Sequence, residues 1–190
     1  MNLPNKLTML RIAMVPIFMI TILAPIPDTA SRIISLVIFI LTALTDMLDG
    51  KIARKYNLIT NFGKLMDPLA DKFMIFGAML AILVKYKYLT DVFVWVTAVV
   101  IFRELAITSI RLVAAGAKSN TVIPAAWLGK VKTVTQVICM CTIIIEPVIL
   151  PFKPFTEYHI LSYITMAAMT VMTVWSGVDY VMTYKEFLKD

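Results

Sequence analysis

Asp46, Asp49, Asp67 and Asp71 are four of the chain's 12 acidic residues, and all fall within the stretch DMLDGKIARKYNLITNFGKLMDPLAD, residues 46–71. The first pair is spaced i,i+3 and the second i,i+4, so each pair shares one face of a helix. Two such helices joined by a short loop run antiparallel and bring the four carboxylates together. Converging anions repel one another, and ionised groups at membrane depth are costly, so cations are needed to neutralise them. Oxygen-only donors suit the hard cations Mg²⁺ or Mn²⁺ rather than zinc. Such ions commonly leave positions open for substrate phosphates, and two of them about 4 Å apart clamp the attacking and leaving oxygens of a displacement at phosphorus. A calcium-binding EF-hand is excluded, because no loop pattern with its closing Glu is present.

The neighbours of the acids fit a phosphate-bearing ligand. Gly50 and Ala53 make a bare strip along which a nucleotide or diphosphate could approach the backbone. Arg54 can meet a carboxylate or phosphate in bidentate fashion. Gly63 stands at the start of the opposing helix, and Pro68 suits a first helical turn or a kink.

The elements that must position these groups are legible from hydropathy. Of 190 residues, 60% are hydrophobic and only 16% charged, with a mean hydropathy of +0.86. Soluble domains are about one quarter charged, so the fold class is an all-α integral membrane protein. Six apolar segments of spanning length are expected at 8–26, 30–50, 65–86, 92–115, 130–150 and 158–182. Breakers such as APIPDT (24–29) and GAKSN (116–120) separate them. A short interfacial helix over 2–11 is expected before the first span, with Lys6 and Arg11 toward headgroups. No small-residue cleavage site follows the first apolar run, so that segment is expected to stay. The whole chain, 1–190, reads as a single membrane-embedded domain.

With the N-terminus placed in the cytosol, twelve basic residues fall inside and four outside (Arg32, Lys85, Lys87 and Lys153). That asymmetry puts both termini and the 46–71 cluster on the cytosolic side of a plasma (inner) membrane. Cys139 and Cys141 lie on different helix faces and match no metal or redox pattern. His159, the only histidine, falls at the outer end, away from the acids.

A second group of polar residues follows the fourth span. Arg103, Arg111, Lys130, Lys132 and Thr133 could form a pocket for a phosphorylated substrate, because WLGKVKT (127–133) offers charge, a hydroxyl and backbone N–H groups at a helix start. The plainer readings are that Arg103 pairs with Glu104 or a motif aspartate, and that Arg111, Lys130 and Lys132 anchor the chain to anionic lipid.

Residues 46–71 resemble the signature of the CDP-alcohol phosphotransferases, DxxDGxxAR, eight residues, GxxxDxxxD. Asp46, Asp49, Gly50, Ala53, Arg54, Gly63, Asp67 and Asp71 match every fixed position. The resemblance implies transfer of a substituted phosphoryl group from a CDP-linked donor to an alcohol, with release of CMP. It implies that Asp46, Asp49 and Asp67 hold metal, two ions of Mg²⁺ or Mn²⁺, and that Asp71 helps bind metal and acts as general base. Gly50, Ala53, Arg54 and Gly63 would line the CDP site, and the protein would be a homodimer with no nucleic-acid partner. The opening NLPNKLTMLR, the RE at 103–104 and the WLGKVKT stretch are similar to the phosphatidylglycerophosphate synthase branch, whose donor is CDP-diacylglycerol and whose acceptor is sn-glycerol 3-phosphate. An inositol phosphate or phosphatidylglycerol as acceptor stays open at this point. Two rivals use similar acids. A membrane prenyltransferase has more spans and differently spaced aspartates. A divalent-cation carrier would place its acids near mid-bilayer with a polar path across.

Overall fold

The computed structural model describes residues 2–55, 60–116 and 127–184, without the side chains of 47–55, Asn61, Lys64, 112–116, Pro154 and Tyr184. The described residues form six long helices: α1 (Leu3–Leu23), α2 (Asp28–Lys55), α3 (Asn61–Lys85), α4 (Thr90–Gly116), α5 (Trp127–Ile149) and, after a single turn α6 (Lys153–Thr156), α7 (Ile160–Tyr184). Among the described residues five segments are long and apolar enough to cross a membrane, in α1, α2, α5, α7 and the stretch Lys87–Arg111 that includes most of α4. The remaining long helix, α3, is the one that carries Asp67, Asp71 and Lys72.

Two expected boundaries move. Residues 2–11 do not form a separate helix, because α1 runs unbroken from Leu3 to Leu23. Asn2 caps it by accepting the Asn5 N–H at 3.2 Å, Pro4 suits its first turn, and nothing before Ala24 stops it. Helix α2 runs on to Lys55 instead of ending near 50, since KIARK contains strong helix formers and no breaker. Pro68 lies well inside α3 and not in its first turn.

Helices α1, α2 and α3 pack together, as do α4, α5 and α7, and the two groups meet through α2–α5, α3–α4 and α3–α5 contacts. Small residues permit the closest crossing. A Cβ on Gly77 of α3 would lie 2.6 Å from Val15 Cγ1 of α1, and Ala70, Ala78 and Ala81 on α3 are fully buried. In lipid, where apolar burial gives little drive, such close backbone packing supplies association energy. The core between the groups holds Phe18, Phe39, Met79, Ile82, Phe93, Met140 and Ile143. The large apolar residues left exposed, Trp95, Phe102 and Val171 among them, suit a lipid environment.

At the end of the bundle where α2 begins, Arg32 is 5% exposed. It bonds Asp28 and donates to the Ile144 carbonyl at 3.0 Å, and its guanidinium lies 4.2 Å from the Tyr86 ring centroid. Nearby, buried Glu146 accepts the Leu161 and Ser162 N–H groups at 2.8 and 2.9 Å and the Ser162 hydroxyl. It thereby satisfies the start of α7, where a negative charge is favourable. His159 has a φ of 48° and stacks on Tyr88 with centroids 3.7 Å apart.

Candidate active site

The opposite end of the bundle assembles around α1. Asn5, Thr8 and Arg11 recur every three residues and so share a face, and all three are buried. Asn5 accepts from the Thr60 hydroxyl at 3.0 Å, while Thr60 caps α3 by accepting the Gly63 N–H at 3.0 Å. Thr8 donates to Asp67 Oδ1 at 2.7 Å. Arg11, with no exposed surface, places Nη1 at 2.9 Å from Asp46 Oδ1 and also bonds Asp71 Oδ1. The expectation that Arg11 faces headgroups is therefore replaced. Its guanidinium ties α1 to α2 and α3, because two carboxylates outbid water for a cation held at this depth.

Three of the four motif aspartates thus meet one polar stripe of α1. Asp46 and Asp71 reach the same guanidinium, and their side chains are 38% and 50% exposed. Asp49, Gly50, Ala53 and Arg54 fall on the helical backbone of α2, but their side chains lie outside the described residues. Among the described residues no three acidic, His or Cys groups close on a single metal position. The donor chemistry nevertheless fits a hard divalent cation. Asp46 and Asp71 already converge on one cationic nitrogen, and all the donors are carboxylate oxygens.

Gly63 is buried, and a Cβ there would lie 3.2 Å from Asn5 Oδ1 and 3.3 Å from Thr60 Oγ1. Its lack of a side chain lets the start of α3 seat against α1.

A cavity of about 320 Å³ joins the acids to the basic group expected from the sequence. Asp46 and Asp71 line it, and so do Arg103, Arg111, Lys130, Lys132 and Thr133. The fold therefore brings together residues up to 90 positions apart in sequence (46 to 136). Five cationic and three anionic side chains line this space. Such a surface, with cations in excess, favours a polyanionic ligand.

The basic residues differ in their commitments. Glu104 of α4 pairs with Arg103 at 3.2 Å and with Lys132. Arg103 also donates to the Ser176 hydroxyl at 3.1 Å, and its stem lies over Gly177, where a Cβ would stand 3.2 Å from Arg103 Cγ. Arg111 donates to the Tyr180 hydroxyl at 3.2 Å. Thr133 returns its hydroxyl to the Gly129 carbonyl of its own helix. Lys130 is exposed at the start of α5. The plainer reading of Arg103, a pair with Glu104, is thus present inside the same cavity that the pocket reading requires.

Sequence reasoning missed several contributors. Asn5, Thr8 and Arg11 form a polar stripe in an apolar helix, a signal that a period-of-three reading of α1 could have found. Lys72, which donates to Thr108, and Gln136 carry no motif that would have marked them.

The comparisons with known proteins point the same way. Residues 1–175 match the CDP-alcohol phosphatidyltransferase family. The chain is 40% identical to the CDP-diacylglycerol–glycerol-3-phosphate 3-phosphatidyltransferase of Bacillus subtilis, covering 99% of this chain and 97% of that one. It is 37% identical to a probable phosphatidylglycerophosphate synthase of Mycobacterium tuberculosis, over 95% of this chain and 80% of that one. It is 32% identical to the Escherichia coli CDP-diacylglycerol–glycerol-3-phosphate 3-phosphatidyltransferase, over 100% and 98%.

Proposed function

The chain belongs to the CDP-alcohol phosphatidyltransferase family, and from that premise we propose that it transfers a phosphatidyl group from CDP-diacylglycerol to sn-glycerol 3-phosphate. The products are phosphatidylglycerophosphate and CMP. The observation that carries this reading is one cavity lined by two of the motif acids, Asp46 and Asp71, and by five cationic side chains. A reacting phosphorus and a phosphorylated acceptor need those two surfaces side by side.

The site is proposed to lie at the cytosolic face, with both termini cytosolic and six helices crossing the membrane, since basic residues crowd that side twelve to four. The first turns of α1 then sit at headgroup depth. The lipid donor's acyl chains stay in the bilayer, while its CDP group lies against Gly50, Ala53 and Arg54 on α2, near Gly63. A homodimer is proposed from the family resemblance.

Asp71 takes the proton of the acceptor's primary hydroxyl. The hydroxyl oxygen attacks the phosphorus that bears the diacylglycerol, the bond from that phosphorus to the bridging oxygen breaks, and CMP departs with that oxygen. Arg11 orients the Asp46 and Asp71 carboxylates toward the cavity, and Thr8 fixes Asp67. Asp46, Asp49, Asp67 and Asp71 would hold Mg²⁺ or Mn²⁺, two ions in all, which when bound supply charge neutralisation for the diphosphate. Arg103, Arg111, Lys130, Lys132 and Thr133 receive the acceptor's phosphate. Exposed Lys130 is the freest to do so, whereas Lys132 and Arg103 share Glu104.

The test is CMP release by purified protein given CDP-diacylglycerol, Mg²⁺ and a panel of alcohols. Glycerol 3-phosphate should be used well and glycerol, inositol phosphate and phosphatidylglycerol poorly. Preference for any of the others overturns the acceptor assignment. Lys130→Ala should raise the KM for glycerol 3-phosphate about tenfold to a hundredfold, the equivalent of one charge-assisted contact, and leave the donor's KM unchanged. A lysine that merely anchors lipid would alter neither KM.

A further inference from the structure

On α5, Gly129, Lys132, Thr133 and Gln136 follow at i, i+3, i+4 and i+7, so they share a face, and all four line the cavity. Gln136 is 1% exposed. Its Nε2 meets no acceptor among the described residues. A buried N–H without a partner costs about 1–3 kcal/mol, and native interiors rarely leave one so. Here the side chain forms part of the cavity wall, and farther along the same face the wall is open: a Cβ added at Gly129, two turns away, would touch nothing within 4 Å. An oxygen of a bound ligand can complete the amide where the protein does not.

Chemistry narrows which oxygen. The acceptor's reacting hydroxyl must lie by Asp71 on α3, and its phosphate belongs with the cationic side chains. Glycerol 3-phosphate has one oxygen function left, the secondary hydroxyl at its centre. Gln136 is neutral, so it offers an N–H without adding charge and matches an uncharged oxygen better than a further lysine would.

We propose that the Gln136 amide binds the non-reacting secondary hydroxyl of the acceptor, and so selects vicinal-diol phosphates and directs attack to the primary hydroxyl. This assignment rests on glycerol 3-phosphate being the acceptor. Gln136 is a specificity residue that touches neither the donor nor the reacting phosphorus. A site built to bond a hydroxyl rejects the analogue that lacks it, because its polar group is then left unmet.

The experiment compares sn-glycerol 3-phosphate with 3-hydroxypropyl phosphate, which lacks only the secondary hydroxyl, using full-length protein, CDP-diacylglycerol and Mg²⁺. The wild type should favour glycerol 3-phosphate by about tenfold or more in kcat/KM. Gln136→Leu should lose about that factor toward glycerol 3-phosphate and change less than about twofold toward the deoxy acceptor, with the donor's KM constant. Gln136→Met, closer in length, repeats the comparison if the leucine variant melts early. Equal losses toward both acceptors, or none toward either, overturn the proposal. Wild-type protein that uses neither acceptor but releases CMP with another alcohol overturns the glycerol 3-phosphate reading itself, before any variant is compared.

Discussion

Arg11 and Arg32 are both buried arginines paired with aspartate, and they sit at opposite ends of the same bundle. Along α2 their aspartate partners, Asp28 and Asp46, stand eighteen positions apart, or ~27 Å of helix. The far end is closed. Arg32 is shared among Asp28, two carbonyls of α5 and the Tyr86 ring. Glu146 spends its carboxylate on the first N–H groups of α7. The site end is open. One guanidinium serves two half-exposed carboxylates that border a cavity, with a third acid one helical turn from Asp71. The same residue types therefore make a staple where each charge is met inside the protein, and a cluster where two carboxylates share one guanidinium beside a cavity.

That contrast can be broken most strongly at the acids themselves. Asp71→Asn should lower CMP release roughly 10²–10⁴-fold, the usual effect of losing a general base. The melting temperature should fall only modestly, since the carbonyl oxygen of the new amide can still accept from Arg11 and Asp46 keeps its pair with that guanidinium. Glu146→Ala should do the reverse. Two helix N–H groups lose their acceptor, so the protein should melt earlier, by the equivalent of about 1–3 kcal/mol for each group stranded, while activity per folded molecule is kept. If both variants fail in the same assay, the division between staple and site is wrong.

The arginines sharpen the comparison through metal dependence. Arg11→Met leaves Asp46 and Asp71 without their internal cation, so thermal stability should fall in chelator and recover with Mg²⁺. Arg32→Met should melt early to the same extent with or without Mg²⁺, because no ligand replaces a guanidinium among the helix carbonyls. Melting curves with chelator and with excess Mg²⁺ would check both. Equal metal response in the two variants would count against a cation site at the acids.

The smallest expected effect lies at the cavity wall, behind Arg103. Gly177→Ala places a methyl 3.2 Å from Arg103 Cγ, and the flexible arginine stem can shift by a few tenths of an ångström. The acceptor's KM should rise about two- to fivefold, with the donor's KM and the melting temperature unchanged. Substrate-resolved kinetics would detect this, and a donor-side change would place Arg103 elsewhere in the reaction.

The sequence by itself determined the helical membrane class, the order of the long helices and which aspartates share a helix face. These are local or periodic properties. Hydropathy sets which segments prefer lipid, and aspartate spacing sets which carboxylates share a helix face. It also marked Arg103, Arg111, Lys130, Lys132 and Thr133 as a group, because cations in apolar segments are costly and need a reason. What the sequence did not reveal was partnership. Arg11 read as a headgroup anchor, since a cation near an apolar terminus usually is one. Only helix packing, with Gly63 and Gly77 letting α1 close on α3, carries that guanidinium to Asp46 and Asp71. Glu104 likewise looked like a neighbour of Arg103 alone, until the approach of α4 and α5 gave it Lys132 as well. Gln136 had no signal at all, because a glutamine in a helix matters only when packing buries its amide and leaves a cavity beside it. Charge pairing and cavity shape depend on distances between helices, and those are fixed by packing of the whole bundle rather than by any one segment.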